Sequence, residues 1–151
     1  MFRVPCSVLR VSSFLRFYNT NSMATINDFE DLEIWQLGRE ICQLVWNLFE
    51  TTSLGKDYEL RNQMNRSSGS IMDNISEGFE RNGRREFINS LSYSKGSCGE
   101  LRSQLYRALD RNHISKEEFE QLKDKTIIES KKIGAFMSYL VKSDIKGSKF
   151  D

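Results

Sequence analysis

The chain has 151 residues with 22 basic and 21 acidic side chains, so its formal net charge is only +1. The length suits one domain, and the balanced charge excludes a uniformly basic surface for nucleic acid while leaving room for a local arginine patch. The single proline is Pro5, and Leu, Glu, Arg, Lys and Ser are abundant after it. This composition predicts an all-α protein.

The cysteines are Cys6, Cys42 and Cys98, and no two of them form a Cys-x-x-Cys pair. An odd number at this wide spacing indicates reduced side chains, and neither a disulfide framework nor a zinc site. No apolar run approaches the roughly 20 residues that span a bilayer. We therefore expect a cytoplasmic protein that does not bind membranes.

Residues 1–22 contain Arg3, Arg10 and Arg16 but no acidic residue, which is the composition of a transit peptide. In a simpler alternative the native chain starts at Met23, because "MATINDFEDLEIW" is typical of the N-terminus of a soluble protein. We therefore expect residues 1–22 to be a disordered leader or an over-extended start.

A first helix is predicted over about residues 28–51, because its main apolar positions follow a 3, 4, 3, 4 spacing typical of a helix that packs in a bundle. Acidic residues crowd its start, where they suit the helix dipole. A second apolar stripe widens the hydrophobic surface, and such a surplus often marks a subunit interface. The residues of this predicted oligomer surface are Trp35, Val45, Trp46 and Phe49.

Three more helices are predicted over about residues 57–81, 84–111 and 115–142. Ser115 and Glu118 form a capping box at the start of the last helix. Long helices with short connections predict an up-down-up-down antiparallel four-helix bundle over residues 23–142. We expect residues 143–151 to be a frayed tail.

The second and third helices carry small and polar residues at positions where a bundle helix is usually apolar. If the turn between them centres near Asn82 and Gly83, antiparallel pairing places Ser70 opposite Gly96 and packs small residues of the second helix against Gly96 and Gly99 of the third. Arg66 lies level with Glu100, which is the candidate ion-pair partner of a partly buried Arg66. A buried Asn74 then needs hydrogen-bond partners, for which Glu77 or the backbone near Leu91 are candidates. We therefore predict a polar seam inside the bundle, formed by Arg66, Ser70, Asn74, Glu77, Gly78, Gly96, Ser97 and Glu100.

Catalytic chemistry has little support in the sequence. The only histidine is His113, so di-iron, heme and zinc sites lack ligands, and no phosphate-binding glycine motif occurs. We expect no catalytic residue, metal or cofactor. One alternative is that Arg107 and His113 resemble the motif of HEPN ribonucleases, in which such residues could stabilise phosphate charge and transfer protons. Ala108 and the predicted loop position of His113 depart from that motif.

Three stretches resemble the bacterial four-helix bundle family known as 23S rRNA intervening-sequence proteins. They are "FEDLEIWQLG" from Phe29, "QMNRSSGSIMDNISEGFER" from Gln63, and "FINSLSYSKGSCGEL" from Phe87. The resemblance implies a bundle that assembles into a ring, typically a homopentamer, with no established enzymatic activity. A related branch, the accessory protein of diversity-generating retroelements, binds a reverse transcriptase and nucleic acid through a basic surface.

The main hypothesis is therefore a non-enzymatic, self-assembling, ring-forming interaction scaffold. The alternative is an accessory protein that binds RNA or DNA, with a polypeptide partner such as a reverse transcriptase. A HEPN-like ribonuclease ranks third. The candidate nucleic-acid patch comprises Arg81, Arg84, Arg85, Arg102, Arg107 and Arg111.

Overall fold

The computed structural model describes residues 2–4, 24–81 and 83–143. Four long helices dominate it, and they pack as an antiparallel bundle in which neighbours in sequence are neighbours in space and the last helix returns to the first. This confirms the predicted all-α, up-down-up-down four-helix bundle. The helices are α1 (Glu33–Thr51), α2 (Tyr58–Glu80), α3 (Arg84–Asp110) and α4 (Lys116–Lys142).

A short antiparallel ribbon precedes the bundle, with β1 (Phe2–Val4) paired to β2 (Ala24–Ile26). Thus β1 lies within the segment for which a leader was predicted. Residue 1 and residues 5–22 of that segment, and residues 144–151 of the predicted tail, lie outside the described residues. The expectations for a leader and a frayed tail remain predictions.

The first helix begins at Glu33, five residues later than predicted, because the acidic residues before it form a separate turn. A short 3-10 helix covers Phe29–Asp31, and Leu32 after it is extended, with ψ of 122°. The Asp31 carboxylate accepts hydrogen bonds from the backbone N–H groups of Asn27 and Asp28, at 2.9 and 3.2 Å. These bonds lower the pKa of Asp31.

The connections between helices are capped by short polar side chains. Asp57 precedes α2, and its carboxylate accepts a hydrogen bond from the N–H of Leu60 at 3.3 Å. The predicted capping box at α4 is confirmed: Ser115 Oγ accepts from the N–H of Glu118 at 3.1 Å, and the Ser115 N–H donates to Glu118 Oε2 at 2.7 Å. These contacts satisfy N–H groups that have no partner within their own helix.

The core consists of apolar side chains at 3- and 4-residue spacing on every helix. At one end Phe87 packs edge-to-face between Phe79 and Phe136, with ring centroids 6.0 and 5.7 Å away. On α4 the spacing Leu122, Thr126, Glu129, Ile133 continues without a break, so a hydroxyl and a carboxyl occupy core positions.

Candidate functional site

Serine hydroxyls join α2 to α3 near the middle of the bundle. Ser97 Oγ donates to Ser70 Oγ at 2.9 Å, and Ser94 Oγ donates to the backbone carbonyl of Ile71 at 2.7 Å. Nearer the other end, Ser67 Oγ donates to Gln104 Oε1 at 2.5 Å. The register of the two helices is thus within one residue of the predicted pairing at Ser70.

Gly78 brings the two helices into close contact near their connecting turn. A methyl group added to Gly78 would lie 2.5 Å from Ser90 Cβ and 2.9 Å from Phe87 Cδ2. Both distances are far inside an ordinary carbon–carbon contact. Any side chain at this position would therefore push α2 and α3 apart.

Beside these contacts, polar residues of α2 and α3 line two cavities that are open to solvent. We call this surface the α2–α3 groove. The first cavity has a volume of about 290 Å³ and is lined by Gln63, Arg66, Ser67, Ser70 and Glu100. The second has a volume of about 310 Å³ and is lined by Asn74, Glu77, Arg81, Glu86, Asn89, Ser90 and Tyr93. Most of the residues predicted as an internal seam therefore lie along this open groove.

The predicted partly buried ion pair between Arg66 and Glu100 is wrong. Both side chains are exposed on the walls of the first cavity, and no ion pair joins them among the described residues. Glu100 instead accepts a hydrogen bond from Gln104 Nε2 at 3.1 Å. Water can solvate both charges here, so neither one needs the other.

Asn74 is half-buried, and its partners also differ from the prediction. Its side-chain amide donates to the backbone carbonyl and the hydroxyl of Ser70, at 2.7 and 2.8 Å. The carboxylate of Glu77 turns outward and forms an ion pair with Arg81 one turn along α2. Asn74 and Ser70 therefore satisfy each other within one helix, leaving Glu77 and Arg81 on the rim of the second cavity.

The prediction that Gly96 and Gly99 pack against small residues of α2 is also wrong. A methyl group built on either glycine meets no atom within 4 Å apart from its own helix backbone and chain neighbours, among the residues described. Beside them Tyr93 is 68 % exposed. This part of α3 faces outward, so packing in the protomer does not explain the two glycines.

The predicted oligomer surface on α1 is mostly used inside the protomer. Val45 is 1 % exposed and Phe49 is buried, because both belong to the core. Trp35 is half-buried and packs edge-to-face on Phe29, with ring centroids 5.1 Å apart. Only Trp46, which is 42 % exposed beneath the guanidinium of Arg61, remains a large outward group.

The predicted arginine patch divides into groups at opposite ends of α3. Arg85 and Arg107 are about 33 Å apart along the helix, at 1.5 Å per residue. At one end Arg84 donates to the backbone carbonyl of Ser143 at 2.9 Å, and Arg85 lines a shallow cavity beside it. Arg81 belongs to this end, Arg111 to the other, and the half-buried Arg102 lies between the ends.

Arg107 and His113 bind different partners, and His113 lies in the turn after α3. The guanidinium of Arg107 donates to Gln63 Oε1. The imidazole of His113 lies 3.1 Å from Asp57 Oδ2 through Nε2 and 2.8 Å from Ser53 Oγ through Nδ1. Since Asp57 and Ser53 belong to the α1–α2 connection, His113 joins two connections at one end of the bundle.

Asp57 is the centre of this junction. Its Oδ2 accepts from Arg111 at 2.7 Å, and hydrogen bonding to Arg111 is the main reason why its pKa is lowered. Among the described residues, no three or more His, Cys, Asp or Glu side chains are placed to hold a metal ion. In the same part of the chain, no helix is long and apolar enough to cross a membrane.

Together these features define a small antiparallel four-helix bundle with a polar groove along its central helix pair. A sequence model of the 23S rRNA-intervening sequence protein family matches residues 30–135. The chain therefore belongs to this family, which confirms the resemblance seen in its sequence.

A solved structure supports the fold independently. It is that of a protein of unknown function from the S23 ribosomal protein family of Bacteroides thetaiotaomicron, which is 21 % identical with a TM-score of 0.63. The alignment covers 70 % of this chain and 95 % of that one. No curated protein matches the chain.

Proposed function

We propose that the protein is a non-enzymatic scaffold that self-associates into a ring, a homopentamer as the family resemblance implies, through the α2–α3 groove and the outward face of α3 beside it. The observation that carries this proposal is the outward position of Gly96 and Gly99. Glycine inside a helix costs about 0.5–1 kcal/mol relative to alanine. Two such costs on one exposed face are explained if a second chain approaches the backbone of α3 closely.

The chemistry of the groove fits a partner chain. Its walls offer hydroxyl, amide and charged groups together with the exposed ring of Tyr93. Protein interfaces typically combine such polar groups with aromatic residues and trapped water. Arg66 and Glu100, which do not pair with each other, supply one charge of each sign for such a partner. The predicted oligomer surface on α1 is the weaker candidate for the subunit interface, because Val45 and Phe49 are buried in the core.

The proposal is tested by adding a bulky side chain to the outward face of α3 without disturbing the protomer. Gly96→Leu places a large side chain in open space, so folding should survive while association is lost. Ala135→Leu adds the same side chain at an exposed position of α4 and controls for added apolar surface. Light scattering coupled to gel filtration gives the masses. The proposal fails if Gly96→Leu retains the wild-type mass while circular dichroism shows it folded.

A second candidate function is RNA or DNA binding, in which a polypeptide such as a reverse transcriptase could also take part. Its support is the group of Arg81, Arg84 and Arg85 around the α2–α3 turn, next to a cavity of about 300 Å³. Phosphate binding by these side chains should weaken with salt in proportion to the contacts made. Replacing Arg84 and Arg85 together by glutamine should reduce both affinity and salt dependence. Affinity that does not respond to salt would contradict this mode.

A further inference from the structure

A carboxyl group lies in the core of the bundle. Glu129 on α4 is 0 % exposed, and neither of its side-chain oxygens has a hydrogen-bond partner among the described residues. The great majority of buried polar atoms in proteins have a hydrogen-bond partner. A buried carboxylate needs several hydrogen-bond donors to replace the water that it loses. Glu129 therefore requires an explanation that packing alone does not provide.

The groups around Glu129 compensate a negative charge only in part. Lys132 on α4 is the nearby cation, but its ammonium group forms an ion pair with Glu33 at the start of α1. Glu33 itself adds a second negative charge, and its buried Oε2 also has no hydrogen-bond partner in the described part of the chain. On α3 the nearby titratable group is the buried thiol of Cys98, whose pKa a charge on Glu129 would raise. No charged group of α2 is seen to act on it within the described residues.

We propose that Glu129 is held as an uncharged carboxylic acid, so that the bundle takes up one proton when it folds and loses stability when this side chain ionises. The neutral acid has one O–H and two weak acceptors to satisfy, whereas the ionised form would place an uncompensated charge in the core. The packing of α4 against the rest of the bundle is thus linked to the protonation of Glu129.

The electrostatic balance agrees with this geometry. Burial raises the pKa of Glu129 to about 9, with Lys132 lowering the pKa and Glu33 raising it. Burial also raises the pKa of the Cys98 thiol to about 12, to which the Glu129 charge adds. Both groups are therefore uncharged at neutral pH.

The direction of the pH effect follows from the proton count. A glutamate in the unfolded chain has a pKa of about 4.3. Between this pH and about pH 9 the folded state therefore binds one proton more than the unfolded state. The stability that protonated Glu129 contributes is fully present below its unfolded-state pKa, and it falls as the pH rises to its folded-state pKa. Within this window the unfolding equilibrium constant should rise about tenfold per pH unit through this residue alone, equivalent to about 1.4 kcal/mol.

Urea unfolding of the full chain at fixed protomer concentration, between about pH 5 and pH 9, tests the proposal. The quantity to compare is the unfolding equilibrium constant of the wild type divided by that of Glu129→Gln. We expect this ratio to rise about tenfold per pH unit. A ratio independent of pH would overturn the proposal. The control is Glu117→Gln, on the exposed first turn of α4. It shows how loss of an ordinary surface carboxyl changes the pH dependence of unfolding.

Two further measurements keep the test decisive if Glu129→Gln does not fold. Glu129→Leu fills the same core position with an apolar group, and the same ratio with this variant should show the same slope. Infrared spectroscopy of the folded wild type at neutral pH should show the carbonyl band of a protonated carboxylic acid, absent from Glu129→Leu. If the wild type lacks this band, Glu129 is ionised and the proposal is wrong.

Discussion

Replacing Gly78 by alanine should destabilise the protein, although alanine is the better helix former. The new methyl group would lie 2.5 Å from Ser90 Cβ and 2.9 Å from Phe87 Cδ2, where ordinary contacts are about 3.5–4.0 Å. Ser90 Cβ is fixed to the backbone of α3 and Phe87 is buried, so neither can move aside without shifting a helix.

The expected magnitude follows from two opposing effects. Overpacking of this kind costs about 1–3 kcal/mol, whereas removing a glycine from a helix interior recovers about 0.5–1 kcal/mol. We expect a net loss of about 1 kcal/mol in the free energy of unfolding for Gly78→Ala. The control is Gly69→Ala on the same helix, where the nearest atom to the new methyl group is Asp73 Oδ2 at 3.7 Å. This variant should gain about 0.5–1 kcal/mol.

Urea unfolding of both variants at the same protomer concentration measures the difference, and thermal unfolding should show it as a shift of several degrees in Tm. The comparison cancels helix propensity, because both changes are glycine to alanine within α2. If Gly78→Ala is as stable as Gly69→Ala, the close approach of α2 and α3 at Gly78 is refuted.

Three further substitutions test other contacts. Asp57→Asn keeps an N-cap side chain but removes the ion pair with Arg111, so it should destabilise the protein by about 0.5 kcal/mol at neutral pH. Because hydrogen bonding to Arg111 lowers the pKa of Asp57, the wild-type advantage is present above about pH 4 and is lost as pH falls through the folded-state pKa. An advantage that persists in acid during thermal unfolding would contradict this assignment. Ser115→Ala should lose about 1 kcal/mol through the α4 cap, whereas Lys116→Ala should change urea unfolding by only a few tenths. Arg66→Ala should change the protomer's unfolding free energy by less than about 0.5 kcal/mol, and a loss several times larger would mean that Arg66 is paired after all.

Much of the fold could be predicted because apolar spacing repeats on every helix. On α3, Phe87, Leu91, Leu101 and Leu105 lie on a 4- and 3-residue spacing that predicts a bundle helix, and all four are buried. The register of α2 and α3 also followed from the sequence, since a tight turn leaves two long antiparallel helices little freedom to slide. Ser70 could therefore be placed to within one residue of its partner Ser97.

The orientation of individual faces could not be predicted in the same way. Val45 and Phe49 looked like surplus surface because one helix alone does not show how wide its buried stripe is. The sequence also cannot distinguish Gly78, which packs tightly, from Gly96, which faces outward, because the difference depends on the partner helix. Glu129 left a signal that was missed: the core spacing of α4 passes through it, but a charged residue is normally assigned to solvent.

The mass of the wild-type protein in solution tests the central claim most directly, because every role proposed for the α2–α3 groove requires a second chain. Sedimentation equilibrium at low micromolar protomer concentration should give an integral multiple of the 17.6 kDa chain mass, fivefold if the ring is a homopentamer. A species of 17.6 kDa alone under these conditions would contradict self-association and leave the outward glycines of α3 unexplained.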